Sequence, residues 1–192
     1  MAGTLFYLMG PSGAGKDTLL HTLRNRLEKQ SVIVAHRYIT RPPSATGENH
    51  VALSHKEFHT FLLSNSFALH WHSHNTNYGI GIEINNWLTQ NISVVINGSR
   101  AYLPQARELY PDLQPVLITA PEDVIEERLH KRKRESKAEI VDRLRQNTLL
   151  NSTCTHYSQG KKTAVVINDT TVEAAVDELE AIICKEELPR TA

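Results

Sequence analysis

An α/β fold, built on a mainly parallel sheet with helices on both faces, is what this 192-residue sequence predicts, and three observations carry the prediction. Short, wholly apolar runs recur along the chain and alternate with segments of helical periodicity, the pattern of strands buried on both faces and joined by crossover helices. A glycine-rich turn between the first apolar run and the first helical segment has the spacing of a phosphate-binding loop. Residues 37–90 break the pattern: they are rich in Asn, His, Ser and Thr and lack a long apolar run. They read as a small acceptor-binding insertion within a single domain.

The first strand is expected over residues 4–9 (TLFYLM). The turn after it runs Gly10, Pro11, Ser12, Gly13, Ala14, Gly15, Lys16, Asp17 and matches G-x-x-x-x-G-K, with Asp17 where Ser or Thr is usual. Leu19, Leu20, Leu23 and Leu27 then recur at helical spacing, so the turn opens onto a helix N-terminus suited to anions. Further strands are expected at 32–35 (VIVA), 93–96 (SVVI), 115–118 (PVLI) and 164–167 (AVVI). Ser54, Ser136 and Thr170 each stand three residues before a Glu, the spacing of a helix-opening capping box. Pro121 suits the first turn of a helix after the fourth strand. The last helix carries Val172, Ala175, Val176, Leu179 and Ile183 on one face. The loop and this order of elements together predict a P-loop NTPase fold.

Charge and composition exclude several classes. Acidic and basic residues balance at 21 each and the pI is near 7.2, unlike a protein that binds nucleic acid through its charge. No stretch approaches the roughly 18 apolar residues of a membrane span, and no leader pattern is seen. Cys154 and Cys184 have neither disulfide-scaffold nor zinc spacing. The expectation is a cytoplasmic enzyme without nucleic-acid or membrane partners.

The loop assigns Gly10 through Thr18 to the phosphates of ATP, with Lys16 at the β- and γ-phosphates. Asp17 offers a carboxylate to Mg²⁺, directly or through water, or else only caps the helix. Arg37 and Arg41 follow the second strand, and Asn97 and Arg100 follow the third, where ligands of a doubly wound sheet bind. A run from Arg128 through Arg132 and Arg134 to Arg143 suits a helical lid over 128–145 that closes on transferring phosphates. No general base stands out, and a phosphate acceptor, already ionised at neutral pH, needs none. His70, His72 and His74 share one face of a strand; a polar cleft wall explains them better than a metal site. Trp71, Trp87 and Tyr102 suit the core or the cleft lining, and Tyr78-Gly79 a ligand contact.

These residues resemble the guanylate kinase family over nearly the whole chain. Gly10–Lys16 is similar to that family's loop, Thr40-Arg41-Pro42 to its T-R-x-P segment, and Gly47-Glu48 with Leu53-Ser54 and Glu57-Phe58 to its G-E and V-S-x-x-E-F. Tyr78-Gly79 resembles its nucleotide-facing Y-G, Arg132 and Arg143 its two lid arginines, and Asn168-Asp169 the N-D near the adenine. The resemblance implies catalytic roles for Lys16, Arg132 and Arg143, and nucleotide contact for Asn168.

Guanine, however, loses its partners. Ser44 stands where the family has a second arginine, Leu69 near its Glu, and Asn97 at its Asp, while Arg37, Arg100 and Arg134 are added. That combination is similar to the ribose 1,5-bisphosphate phosphokinase branch, which the resemblance implies phosphorylates the 1-phosphate of ribose 1,5-bisphosphate with ATP and Mg²⁺, giving 5-phosphoribosyl 1-diphosphate in phosphonate catabolism. Arg37, Arg41, Tyr78, Asn97, Arg100 and Arg134 are its expected sugar-phosphate contacts. A guanylate kinase and a non-catalytic interaction module remain as alternatives.

Overall fold

The computed structural model describes residues 3–27, 30–42, 49–73, 75–132 and 160–187, together with 140–142, 144, 145, 147 and 150. Five strands, β1 (Leu5–Met9), β2 (Val32–Val34), β7 (Ser93–Asn97), β8 (Gln114–Thr119) and β9 (Ala164–Ile167), form one wholly parallel sheet in the order β2-β7-β1-β8-β9. Each lies on an apolar run read from the sequence. β1 and β7 are buried at every position, as expected of central strands covered on both sides.

Alternation along β1 divides the core. Phe6 and Leu8 face Leu19, Leu20 and Leu23 of α1 (Lys16–Arg26) and Val176, Leu179 and Ile183 of α6 (Val172–Glu187). Leu5, Tyr7 and Met9 face the other way, against Ile84 of α3 (Glu83–Thr89) and Leu103 and Ala106 of α4 (Leu103–Leu109). Both faces are therefore covered by helices, the P-loop α/β arrangement. A third cluster joins Ile125 and Leu129 of α5 (Glu122–Arg132) to Ile140 and Leu144.

The stretch after β2 forms a second sheet: β3 (Arg37–Ile39), β4 (His50–Ala52), β5 (Phe67–Ser73) and β6 (Thr76–Gly81), in the order β4-β3-β6-β5. β3 pairs antiparallel with β6, setting Tyr38 opposite Gly79 and Ile39 opposite Tyr78. α2 (His55–Leu63) crosses this sheet through Phe58 and Phe61, which pack on Phe67 and Tyr38. Its capping box is complete: the Ser54 hydroxyl accepts from the Glu57 N–H, and the Glu57 carboxylate accepts from the Ser54 N–H.

One helix start differs from the sequence reading. The Thr171 hydroxyl, not that of Thr170, accepts from the Ala174 N–H at the start of α6. With two threonines in succession, the cap falls on the one directly before the first helical residue, since α6 begins at Val172. The expected box at Ser136 lies outside the described residues.

Candidate functional site

The loop between β1 and α1 owes its shape to three glycines. Gly10, Gly13 and Gly15 have φ of 154°, 93° and 87°, values that side chains other than glycine adopt only at a cost. A Cβ on Gly15 would lie 2.4 Å from the Asn168 side-chain nitrogen, and one on Gly10 would lie 2.0 Å from the Ile118 carbonyl oxygen. Inside the turn the Lys16 ammonium donates to the Gly10 and Pro11 carbonyls, each at 2.8 Å. Pro11, Gly13 and Ala14 are buried, Ser12 and Asp17 half-buried and Thr18 exposed. The bare glycine backbone fits a triphosphate, with Lys16 as the cation within reach of it.

Asn168 braces this loop from below. It follows β9, is 3% exposed, and its amide donates to the Ala14 carbonyl at 2.9 Å. Its own N–H donates to Thr119 at 2.7 Å. The sequence suggested a nucleotide contact here; the structure shows a side chain occupied with the loop backbone. Arg128, expected from the sequence at the start of the lid run, reaches instead from α5 to the Gly13 carbonyl at 3.4 Å.

Asp17 joins three elements. Its Oδ1 accepts from Asn97 Nδ2 of β7 at 2.9 Å and from the Arg37 guanidinium of β3 at 3.2 Å. The other carboxylate oxygen has no protein partner among the described residues. The Arg37 side chain is only 11% exposed, and its Cζ lies 5.7 Å from the centre of the Tyr78 ring. Tyr78 in turn stacks on Trp71 at 5.5 Å, and Trp71 on Tyr102 at 5.7 Å. The two tryptophans and Tyr102 pack on the core. Three predicted acceptor residues, Arg37, Tyr78 and Asn97, thus meet with the loop residue Asp17.

The other predicted positions are placed less directly. Arg41 follows β3, where Thr40 is tied to β6 by two hydrogen bonds with Asn77. Arg100 lies in a 3₁₀ turn (Arg100–Tyr102) and grips Asn147 through its carbonyl at 3.2 Å and side-chain oxygen at 2.7 Å. It therefore links the exit of β7 to Asn147. Arg132 ends α5, but its side chain, like Arg134, Arg143, Ser44, Gly47-Glu48, His74 and Cys154, lies outside the described residues. Leu69 is fully buried and offers no group to a base.

Burial, with Glu83 nearby, pushes the Tyr38 hydroxyl above its ordinary value, so it stays a neutral donor at physiological pH. Among the described residues no three His, Cys, Asp or Glu side chains gather to hold a metal, and the His72 ring is hydrogen-bonded to Asn77 at 2.9 Å. Mg²⁺ with a nucleotide commonly takes only one or two protein oxygens, the rest being phosphates and water. The open Asp17 oxygen fits that need. No helix among the described residues is long and apolar enough to cross a membrane.

A cavity of about 250 Å³ opens beside Asp17, with Arg37, Asn49, Asn97, His21 and Arg24 on its walls. His21 and Arg24 were not anticipated; their spacing of four and seven from Asp17 on one helix face was the available signal.

Comparison with known proteins agrees with this geometry. A model of the guanylate kinase family matches residues 3–186. A ribose 1,5-bisphosphate phosphokinase of Psychromonas ingrahamii is 51% identical over 142 residues, 74% of this chain and 72% of that protein. One from Desulfomicrobium baculatum is 54% identical over 141 residues, 73% of this chain and 75% of that protein. The crystal structure of guanylate kinase from Anaplasma phagocytophilum superposes with a TM-score of 0.71 at 16% identity, covering 98% of this chain and 88% of that one, a likeness of fold.

Proposed function

Since the chain belongs to the guanylate kinase family, we propose that it is the kinase that its relatives are named for, a ribose 1,5-bisphosphate phosphokinase working in the cytoplasm. In the reaction a 1-phosphate oxygen of ribose 1,5-bisphosphate attacks the γ-phosphorus of ATP. A new P–O–P linkage forms, the bond from the γ-phosphorus to the β,γ-bridging oxygen breaks, and 5-phosphoribosyl 1-diphosphate and ADP leave. The acceptor oxygen is ionised at neutral pH, so no side chain has to take a proton from it.

The glycine loop cradles the triphosphate, and Lys16 neutralises charge as it spreads over the transferring group. Asn168 and Arg128 hold the loop carbonyls, which keeps the amides aimed inward. Arg41, just after β3, and Tyr78, on the neighbouring strand β6, are assigned to the reacting phosphate. Arg132 and Arg143 are assigned to the lid that closes on it. Asp17 would hold Mg²⁺ through its open oxygen; when bound, the ion screens phosphate charge and aligns the γ-phosphoryl group.

The observation that carries the reading is Arg37 anchored by Asp17 and Asn97, with Leu69 buried behind. A nucleobase would meet a cation here, and the one carboxylate on the cavity wall, Asp17, already accepts from Arg37 and Asn97, whereas a phosphorylated sugar meets its complement. The test is ADP release with ribose 1,5-bisphosphate, ribose 5-phosphate or GMP as acceptor. The bisphosphate should exceed GMP by at least ~100-fold in kcat/KM. Comparable turnover of GMP would make the protein a guanylate kinase, and no turnover of any acceptor would favour a non-catalytic module.

A further inference from the structure

The cavity beside Asp17 measures about 250 Å³ and is lined on one side by apolar and on the other by polar residues. Its floor is apolar, from Leu20, Val34 and Ala35, and its walls are polar. Three of the polar groups are bases, His21, Arg24 and Arg37, against one carboxylate, Asp17. That carboxylate already accepts from Arg37 and Asn97, so the wall favours an anion. α1 rises about 1.5 Å per residue, which sets His21 and Arg24 roughly 6 and 10 Å further along the helix than Asp17. A group held by them lies about one sugar ring away from the loop.

Two further atoms call for a ligand. Asn97 is 4% exposed, and its orientation is fixed because its NH₂ must face the Asp17 carboxylate. Its Oδ1 is then buried without a partner among the described residues, and so is the Asn49 NH₂. Leaving both unsatisfied is costly. One needs a donor and the other an acceptor, and a sugar hydroxyl supplies both.

We propose that this cavity receives the sugar and the non-reacting phosphate of the acceptor: His21 and Arg24 of α1, with Arg37 of β3, bind the 5-phosphate, and Asn49 and Asn97 bind ribose hydroxyls. The inference rests on the acceptor proposed above and deepens it. It makes α1 a two-ended element, with its N-terminus toward the nucleotide phosphates and one flank reading the far end of the acceptor. The C–H face of the ribose lies on Leu20, Val34 and Ala35.

The test compares ribose 1,5-bisphosphate with ribose 1-phosphate, which lacks only the group assigned to the cavity. Arg24 and His21 are exposed, so Arg24→Ala and His21→Ala are expected to fold, which circular dichroism and the melting temperature verify. In the wild type the bisphosphate should lead by at least ~100-fold in kcat/KM. In Arg24→Ala that preference should shrink by about ten- to a hundredfold through the KM of the bisphosphate, and further in the double variant; Arg24→Lys should restore part of it. An unchanged preference, or equal losses on both acceptors, would overturn the subsite while leaving the kinase reading intact. If the wild type turns over neither acceptor, the kinase reading itself fails and the subsite falls with it.

Discussion

The two sheets of this molecule are built to different standards. The parallel sheet has central strands buried at every position and helices on both faces. The second sheet is thin. β3 and β4 are three residues long, Val51 and Ala52 of β4 are exposed, and β5 turns His70 and His72 to solvent. Its main apolar support is the aromatic group of Tyr38, Phe58, Phe61 and Phe67. Phosphoryl transfer depends on fixed placement of the nucleotide phosphates, and the thick sheet supplies it. The proposed acceptor side has to admit and release a substrate, and a sheet of short strands with exposed edges opens at lower cost.

The sharpest way to probe this division is Lys16→Met. It should cut kcat by roughly 10³-fold with the melting temperature little changed, because the lysine serves the reaction and not the core. Near-normal turnover in steady-state assays would remove the loop from the mechanism. Next in size is Phe58→Ala, at about 3 kcal/mol. Hydrogen exchange should accelerate across β3, β5 and β6 while β1, β7 and β8 keep their protection. Equal acceleration everywhere would mean that both sheets unfold as one unit, and the contrast would be lost.

Arg37→Ala should raise the acceptor KM by about ten- to a hundredfold and alter the KM for ATP far less. An effect confined to ATP would move Arg37 to the nucleotide side. Asp17→Thr touches both sides at once: it should lower the acceptor affinity and change the dependence of ATP turnover on Mg²⁺. Superimposable Mg²⁺ titrations of variant and wild type would leave Asp17 as an acceptor-side anchor alone.

The smallest effect is expected at the Ser54–Glu57 box. The Ser54 backbone N–H and hydroxyl hold the Glu57 carboxylate below its ordinary range. Its contribution is therefore present above the ordinary carboxylate value and is lost as pH falls through the lowered one. Ser54→Ala should reduce the melting temperature by about 2–4 °C at neutral pH, with the gap from wild type narrowing in acid to what the hydroxyl's bond with the Glu57 N–H contributes. A gap of constant size across the carboxylate range would assign the whole effect to that cap bond.

What the sequence revealed follows the same division. β1, β7 and β8 could be read because strands buried on both faces keep polar residues to their ends, as Ser93, Asn97 and Gln114 show. The loop could be read because Gly10 and Gly15 are forced by carbonyl and amide contacts that exclude a Cβ. The second sheet was legible only as a change of composition, since its half-exposed strands mix His, Asn and Thr with apolar residues. Arg37, Tyr78 and Asn97 could be named as candidates one by one, but their meeting with Asp17 depends on the antiparallel pairing of β3 with β6. Asn168 was the subtlest position. A polar side chain after a strand looks the same in sequence whether it faces a ligand or the underside of a loop.

That brace has a consequence for the fate of the protein in solution. Among the described residues β9 is an edge strand, paired with β8 alone, and it exposes Val165 and Ile167. Such edges are where sheets of neighbouring molecules adhere. Asn168 follows β9 directly, so a molecule whose edge has peeled away has also lost the support beneath Ala14 and Gly15. By linkage, whatever binds the intact loop draws molecules out of the frayed population, at RT ln(1 + [L]/Kd). ATP on this enzyme would act as a chaperone of its own host: a starved pool would aggregate sooner than a saturated one, through an edge the nucleotide never touches.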